Sequence, residues 1–419
     1  MNTKIAKILV PLFSLTLLSC KNRSENSKNN NKIENKDTEK PSMDINSELN
    51  AILKKQGKEG STGIAFTMQC PKYNNGIATS YNVGMQKSNG TAVTNNSLFQ
   101  IGSNSKAFLV VVMLQLEAEG KLSLDDKLSK FFPNDFPKWQ NVTIKQMLNM
   151  TSGIPEYSDS LMEIFRNNPK NSKINFSTDE ILNIVKDKDL SFSPGSHYFY
   201  SNTNYVLANK IIEKITKNTL ATEIENRIFK KLNLNHSFYI KHIPKEGIPS
   251  TYHENIMSGY LFDIPENDQN YGMDIIDLSM SWTNGGGSIT ATSNDLNLFI
   301  RNLFSEPSAD SSKNLLNASQ LNKMLNFVYH ETDKNPEDPT PQNVVPYIIN
   351  EGYGLGIVIN YLNSLANYSH TGGTMGFLTK MNFIKDKNIS YVYLTNAKKS
   401  ETFKSVNEIV EKYISEKCL

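Results

Sequence analysis

Phe99-Gln100-Ile101-Gly102-Ser103-Asn104-Ser105-Lys106 begins as an extended apolar run and turns at a glycine into a helical pattern. Gly102 supplies the backbone freedom for the turn, so Ser103 falls at the helix start and Lys106 one turn later on the same face. A serine hydroxyl is a weak nucleophile until a neighbour takes its proton, and a buried lysine with a lowered pKa can do that. Alone, Ser-x-x-Lys is a weak motif, and an N-capping serine before a surface lysine accounts for most chance matches. Downstream, Ala107 to Glu119 is apolar over most of its circumference and stops at Gly120, which predicts a buried central helix.

Working outward, the patterns change from helix to strand at both chain ends. Ile45, Leu49, Ile52 and Leu53 form a helical stripe that Gly57 ends. Ile64, Phe66 and Met68 then alternate with Ala65, Thr67 and Gln69, and Ile77 to Val83 forms a second run after a Pro71 to Gly76 turn. At the far end, Leu355 to Asn360, Leu378 to Ile384 and Ile389 to Thr395 read as strands. A final helix carries Phe403, Val406, Val410, Tyr413 and Ile414 on one face. Helical signals at Thr143 to Met150, Thr178 to Lys186, Tyr205 to Ile215 and Thr222 to Leu232 lie between. The expected fold is α/β (α+β): an antiparallel sheet built from both chain ends with flanking helices, and a mainly helical region inserted at about residues 107–290.

The first residues carry an address. Lys4 and Lys7 precede a mainly apolar run, Ile8 to Leu18, that is too short to span a bilayer and reads as a signal peptide over residues 1–19. Leu17-Leu18-Ser19-Cys20 resembles a bacterial lipobox, which makes Cys20 the expected lipidation site. Residues 20–42 are then a polar tether that cannot bury enough surface to fold, and residues 43–419 the folded domain. The expected location is extracytoplasmic, anchored to a bacterial membrane only through the lipid. Among 419 residues, 38% hydrophobic and 21% charged is ordinary globular composition. Removing residues 1–19 takes two lysines and no acid from a formal charge of +2, leaving zero, so no nucleic-acid partner is expected. Cys70 and Cys418 remain as a candidate disulfide, or as two free thiols. A helix returning from the last strand would run along the first, toward Cys70, if neighbouring strands are antiparallel.

Two further stretches can carry chemistry. Tyr200-Ser201-Asn202 offers a phenol that can act as a base near a cation, and an amide that can position a lysine or donate to a carbonyl. His370-Thr371-Gly372-Gly373 places glycines where a backbone edge can lie against an extended acyl substrate, at the start of a strand.

Ser-x-x-Lys, Tyr-x-Asn and His-Thr-Gly, in that order, resemble the serine β-lactamase and penicillin-binding superfamily. The likeness is to the branch joining class C β-lactamases with D-alanyl-D-alanine carboxypeptidases and related esterases. Leu114 to Asp126, Met147 to Pro155 and Gly285 to Leu296 are similar to its further landmarks, with Met150 where His is usual. The resemblance implies that Ser103 is acylated, with Lys106 and Tyr200 sharing the proton traffic. It also implies an oxyanion hole from the N–H groups of Ser103 and Gly373, Asn202 on the acyl side, and His370 with Thr371 on the leaving side or at a substrate carboxylate. Gly372 belongs to the same substrate-binding stretch.

His370 stands where class C β-lactamases usually have Lys, so capture of a carboxylate should be weaker or pH-dependent, which favours carboxypeptidases and esterases. The other five histidines show no zinc-binding spacing, and no metal or cofactor is expected. Polar stretches at Asn255 to Ser279 and His330 to Ile349 are expected to be loops beside the cleft. The leading expectation is a hydrolase of D-Ala-D-Ala-like peptides taking a small-molecule or peptide substrate. A β-lactamase, an esterase and a non-catalytic peptide-binding module are the alternatives, and the presence of Ser103, Lys106 and Tyr200 counts against the last.

Overall fold

Ile64, Phe66 and Met68 alternate with Ala65 and Thr67, and the computed structural model places the two sets on opposite faces of one sheet. It describes residues 43–55, 62–88, 90–167, 173–306, 314–329 and 351–419. The signal segment, Cys20, the tether, Gly57 and the His330 to Ile349 stretch lie outside the described residues.

Among the described residues, eight strands form the main sheet, in the order Thr79–Gly84, Gly63–Gln69, Ile389–Thr395, Leu378–Ile384, Leu365–Gly373, Val358–Leu362, Gly352–Tyr353, Val328–Tyr329. Every pairing is antiparallel. One face packs Ile64, Phe66, Met68, Tyr391 and Tyr393 against the Ile45–Lys55 and Ser400–Cys418 helices. The other packs Ala65, Val392 and Leu394 into the larger core that holds the Ser105–Ala118 helix. Thr67, on that second face, meets Ser293 Oγ at 2.7 Å, at the start of the Ser293–Phe304 helix.

Because the first strand runs antiparallel to Ile389–Thr395, the C-terminal helix returns along it and brings Cys418 to Cys70. The two are joined in a disulfide with Cα atoms 5.9 Å apart. Closing a loop of this size limits the unfolded chain, so Cys418→Ser is expected to lower unfolding free energy by about 2–5 kcal/mol, measurable in urea.

The C-terminal half of the sheet differs from the expectation. The strand expected at Leu355 to Asn360 is Val358–Leu362, and Leu355 to Ile357 belong to a turn. His370–Gly373 ends a strand, Leu365–Gly373, and does not begin one. That strand escapes apolar periodicity because its buried side chains are polar and bond to polar groups on the neighbouring strands. Asn367 Nδ2 donates to Asn360 Oδ1 at 2.7 Å and to Asn382 Oδ1 at 3.0 Å.

In the intervening region, helices run from Ser105 to Leu232, after which short strands and turns take over. Ile289–Ala291 pairs with both Phe99–Gln100 and Ser237–Tyr239, which anchors the extended run that delivers Gly102 and Ser103. The Asn255 to Ser279 stretch carries a short pairing, Tyr260–Leu261 with Met273–Asp274, laid parallel against Ala397–Lys398. No helix among the described residues is long and apolar enough to cross a membrane.

Candidate active site

Gly102 has φ +51°, and a Cβ there would lie 2.6 Å from the Gly373 nitrogen. A Cβ on Gly372 would lie 1.9 Å from the Ile101 carbonyl oxygen. Only glycines at these positions let the nucleophile turn and the end of the Leu365–Gly373 strand touch backbone to backbone. Ser103, half-buried, sits in the single helical turn Gly102–Asn104 that feeds the Ser105–Ala118 helix.

Lys106 is fully buried, at 0% exposure. Its Nζ is 2.9 Å from Ser103 Oγ, 2.7 Å from Asn202 Oδ1 and 3.3 Å from the Gly286 carbonyl oxygen. These three acceptors match the three protons of an ammonium. When the amine is neutral, its lone pair can accept the proton of Ser103 instead. Burial pushes Lys106 down to about 7, against an opposing pull from the Glu156 carboxylate. The same group can therefore hold or release a proton near neutrality.

Asn202 precedes the Thr203–Thr216 helix, and its amide is fixed from behind by Glu156. Glu156 accepts from the Asn202 backbone N–H and, at 3.2 Å, from Asn202 Nδ2, while Ser158 N–H donates to it at 2.8 Å. With Nδ2 held by the carboxylate, Oδ1 must face Lys106. Tyr200 lies against the same cation, its ring centroid 4.9 Å from Lys106 Nζ, and Tyr205 lies 5.3 Å away on the same measure.

The Met150 to Pro155 segment buttresses this turn. Ser201 N–H points at Met150 Sδ at 3.4 Å, Ser152 Oγ donates to Asn204 Oδ1 at 2.7 Å, and Thr203 Oγ1 donates to the Pro155 carbonyl at 2.6 Å. A landmark noted in the sequence for likeness alone thus shapes the loop that carries Tyr200 and Asn202.

His370 is 3% exposed and both ring nitrogens are engaged. Nδ1 lies 2.7 Å from the Thr371 carbonyl, to which it donates, so Nε2 accepts from the Tyr353 hydroxyl at 3.1 Å. Burial and the nearby Lys106 push His370 down to about 3. It is neutral at physiological pH. Of the two forms expected for carboxylate capture at His370, weaker or pH-dependent, a neutral ring agrees with the first: it orders the strand end and offers no cation. The last pair made by the Val358–Leu362 strand is Val358 with Ser369, so among the described residues Thr371–Gly373 has no strand partner on that edge.

Sequence reading missed Glu156 and Tyr353, and took Gly286 only as part of the Gly285 to Leu296 landmark. Glu156 follows directly on the Met147 to Pro155 stretch, and a Cβ on Gly286 would come 3.0 Å from Lys106 Nζ. Of the Asn255 to Ser279 stretch, Ile275, Leu278 and Ser279 line a small cavity with Gln100, Trp282 and Thr374. Among the described residues, no group of three His, Cys, Asp or Glu is placed to hold a metal ion.

Comparison with known proteins gives concordant results. The Beta-lactamase family model matches residues 73–413. Penicillin-binding protein 4* of Bacillus subtilis (strain 168) is 29% identical over 72% of this chain and 61% of its own length. Protein flp of Staphylococcus aureus (strain N315) is 35% identical over 34% of this chain and 28% of its own length. The chain thus spans less than two thirds of either relative. Among solved structures, a D-stereospecific amidohydrolase from Streptomyces sp. superposes with a TM-score of 0.69 at 24% identity, covering 87% of this chain and 97% of the other. The D-amino acid amidase from Ochrobactrum anthropi SV3 superposes at 0.70 and 23% identity, covering 89% and 98%. These last two likenesses establish the fold. With the family model spanning most of its length, the chain belongs to the Beta-lactamase family, whose members are serine hydrolases.

Proposed function

We propose that the protein is a serine hydrolase that cleaves amide bonds in D-alanyl-D-alanine-type peptides through an acyl-enzyme on Ser103. The observation that carries this reading is the hydrogen-bonded set Ser103, Lys106 and Asn202, with Lys106 desolvated and Ser103 half-exposed. Neutral Lys106 takes the hydroxyl proton as Ser103 Oγ bonds to the substrate carbonyl carbon. The N–H groups of Ser103 and Gly373 receive the developing oxyanion. Lys106 and Tyr200 then return the proton to the leaving nitrogen as the C–N bond breaks. Water, deprotonated by the same pair, hydrolyses the ester, and the free acid leaves.

Three of the proteins it resembles bear names pointing to penicillin, D-amino acid amides and D-stereospecific amides, which supports D-configured substrates. Neutral His370 supports a carboxypeptidase or amidase over a class C β-lactamase, where a lysine stands in its place. As part of the same proposal, the leader, Cys20 and the tether place the enzyme outside the cytoplasm on a lipid anchor. A disulfide suits that oxidising side.

The test is release of D-alanine from an acylated D-alanyl-D-alanine peptide, compared with its L,L isomer and a short acyl ester. Turnover of the D,D peptide, absent in Ser103→Ala, is the expected result. Fast ester cleavage with an inert D,D peptide would instead identify an esterase.

A further inference from the structure

Tyr353 lies on the two-residue strand Gly352–Tyr353, which pairs with Val358–Leu362 on one side and Val328–Tyr329 on the other. It is 2% exposed, and burial pushes its hydroxyl well above the ordinary tyrosine range. A buried phenol that keeps its proton at every working pH is a fixed donor. Its acceptor is His370 Nε2, at 3.1 Å. The Tyr353 ring also stands nearly perpendicular to two neighbours, with centroids 6.0 Å from Tyr200 and 5.8 Å from His370. Tyr200 is therefore enclosed by Lys106, 4.9 Å over its ring, and by the rings of Tyr353 and His370.

A neutral imidazole has two tautomers, and the surroundings of His370 admit one. Nδ1 faces the Thr371 carbonyl oxygen at 2.7 Å and must carry the proton, because in the other tautomer two lone pairs would meet at that distance. Nε2 is then bare, and the Tyr353 hydroxyl is its donor. Without that hydroxyl, Nε2 is a buried acceptor left unsatisfied, and moving the proton onto it is no longer opposed from that side. The charged group acting on His370 is Lys106, which disfavours a cationic ring, so the freed state is a mixture of neutral tautomers. Thr371 lies two residues before Gly373 on the same strand. A push on the Thr371 carbonyl is thus passed to the backbone that presents the Gly373 N–H.

We propose that Tyr353 is a positioning residue for acylation. Its hydroxyl locks the His370 tautomer, and with it the Thr371–Gly373 edge, while its ring braces Tyr200. This deepens the reading of Ser103, Lys106 and Tyr200 as the reacting groups and rests on it. Loss of one neutral hydrogen bond, felt only in the transition state, is worth about tenfold in rate.

The experiment compares the parent protein with Tyr353→Phe and Tyr353→Leu, each checked by a thermal melt. Nitrogen-15 NMR of the His370 imidazole, identified by its loss in His370→Asn, reports the tautomer from about pH 5 to 8. In parallel, kcat and KM are read on the acylated D-alanyl-D-alanine peptide and on a short acyl ester. The parent is expected to hold the Nδ1–H tautomer throughout, without titrating. Tyr353→Phe is expected to mix the tautomers and lower kcat about tenfold with KM unchanged. Tyr353→Leu, which removes the brace as well, is expected to lower kcat about 10²-fold. A parent whose His370 titrates in this range, or carries its proton on Nε2, overturns the proposal whatever the variants do. So does a Tyr353→Phe protein that keeps the parent tautomer, or one that loses it with kcat intact. Equal losses in the two variants overturn the part given to the ring. A parent that cleaves the ester and not the peptide overturns the peptide-hydrolase reading, and the ester rates then decide the role of Tyr353; a parent inert on both overturns both.

Discussion

Lys106→Met is expected to slow acylation of Ser103 by about 10³-fold, the scale of a lost general base. Methionine fills much the same buried volume, so the loss reports chemistry and not a cavity. The substitution leaves Ser103 Oγ, Asn202 Oδ1 and the Gly286 carbonyl without their shared donor. The pH profile gives the sign. The base is the neutral amine, and burial brings its pKa to about 7. Acylation therefore falls as pH drops below about 7, approaching tenfold per unit, and levels off above it; Lys106→Met abolishes this limb. Glu156 pulls the Lys106 pKa upward, so Glu156→Gln is expected to move the acid limb to lower pH. The plateau rate drops too, because the Asn202 amide loses its charged anchor. Stopped-flow acylation across pH 5 to 9 with these variants measures both effects.

Gly102→Val is expected to cost about 10²- to 10³-fold in kcat, the scale of one lost oxyanion donor. The argument is steric. A Cβ at position 102 meets the nitrogen, carbon and oxygen of Gly373 at 2.6, 2.9 and 2.7 Å, so the strand end must retreat. The positive φ adds about 1–3 kcal/mol of backbone strain for a β-branched residue. The measurement is kcat and KM beside a thermal melt. A variant that melts a few degrees lower yet binds substrate normally, with kcat reduced, is the expected pattern.

These variants also mark how far the sequence could be read. Ser103 and Lys106 were legible because one helical turn fixes their relation. Tyr200 and Asn202 were legible because a short loop before a helix holds them. The alternation of Ile64, Phe66 and Met68 exposed a two-faced strand, since each face packs against a different apolar layer. Leu365–Gly373 stayed hidden because Asn367, Ser369 and His370, not aliphatic residues, are its buried side chains. Local pattern could not show that Tyr353 would bury His370, or that Glu156 would stand behind Asn202. Nor could it place Lys398, 25 residues after Gly373, above that glycine. Such relations arise only when separate segments are folded together.

The most direct test of the central claim is the intact mass of the protein after incubation with a penicillin, beside a Ser103→Ala control. The account predicts an added mass equal to the penicillin, retained on the peptide containing Ser103 and absent from the control. Unmodified protein with the antibiotic intact, or an adduct that persists in Ser103→Ala, would contradict it.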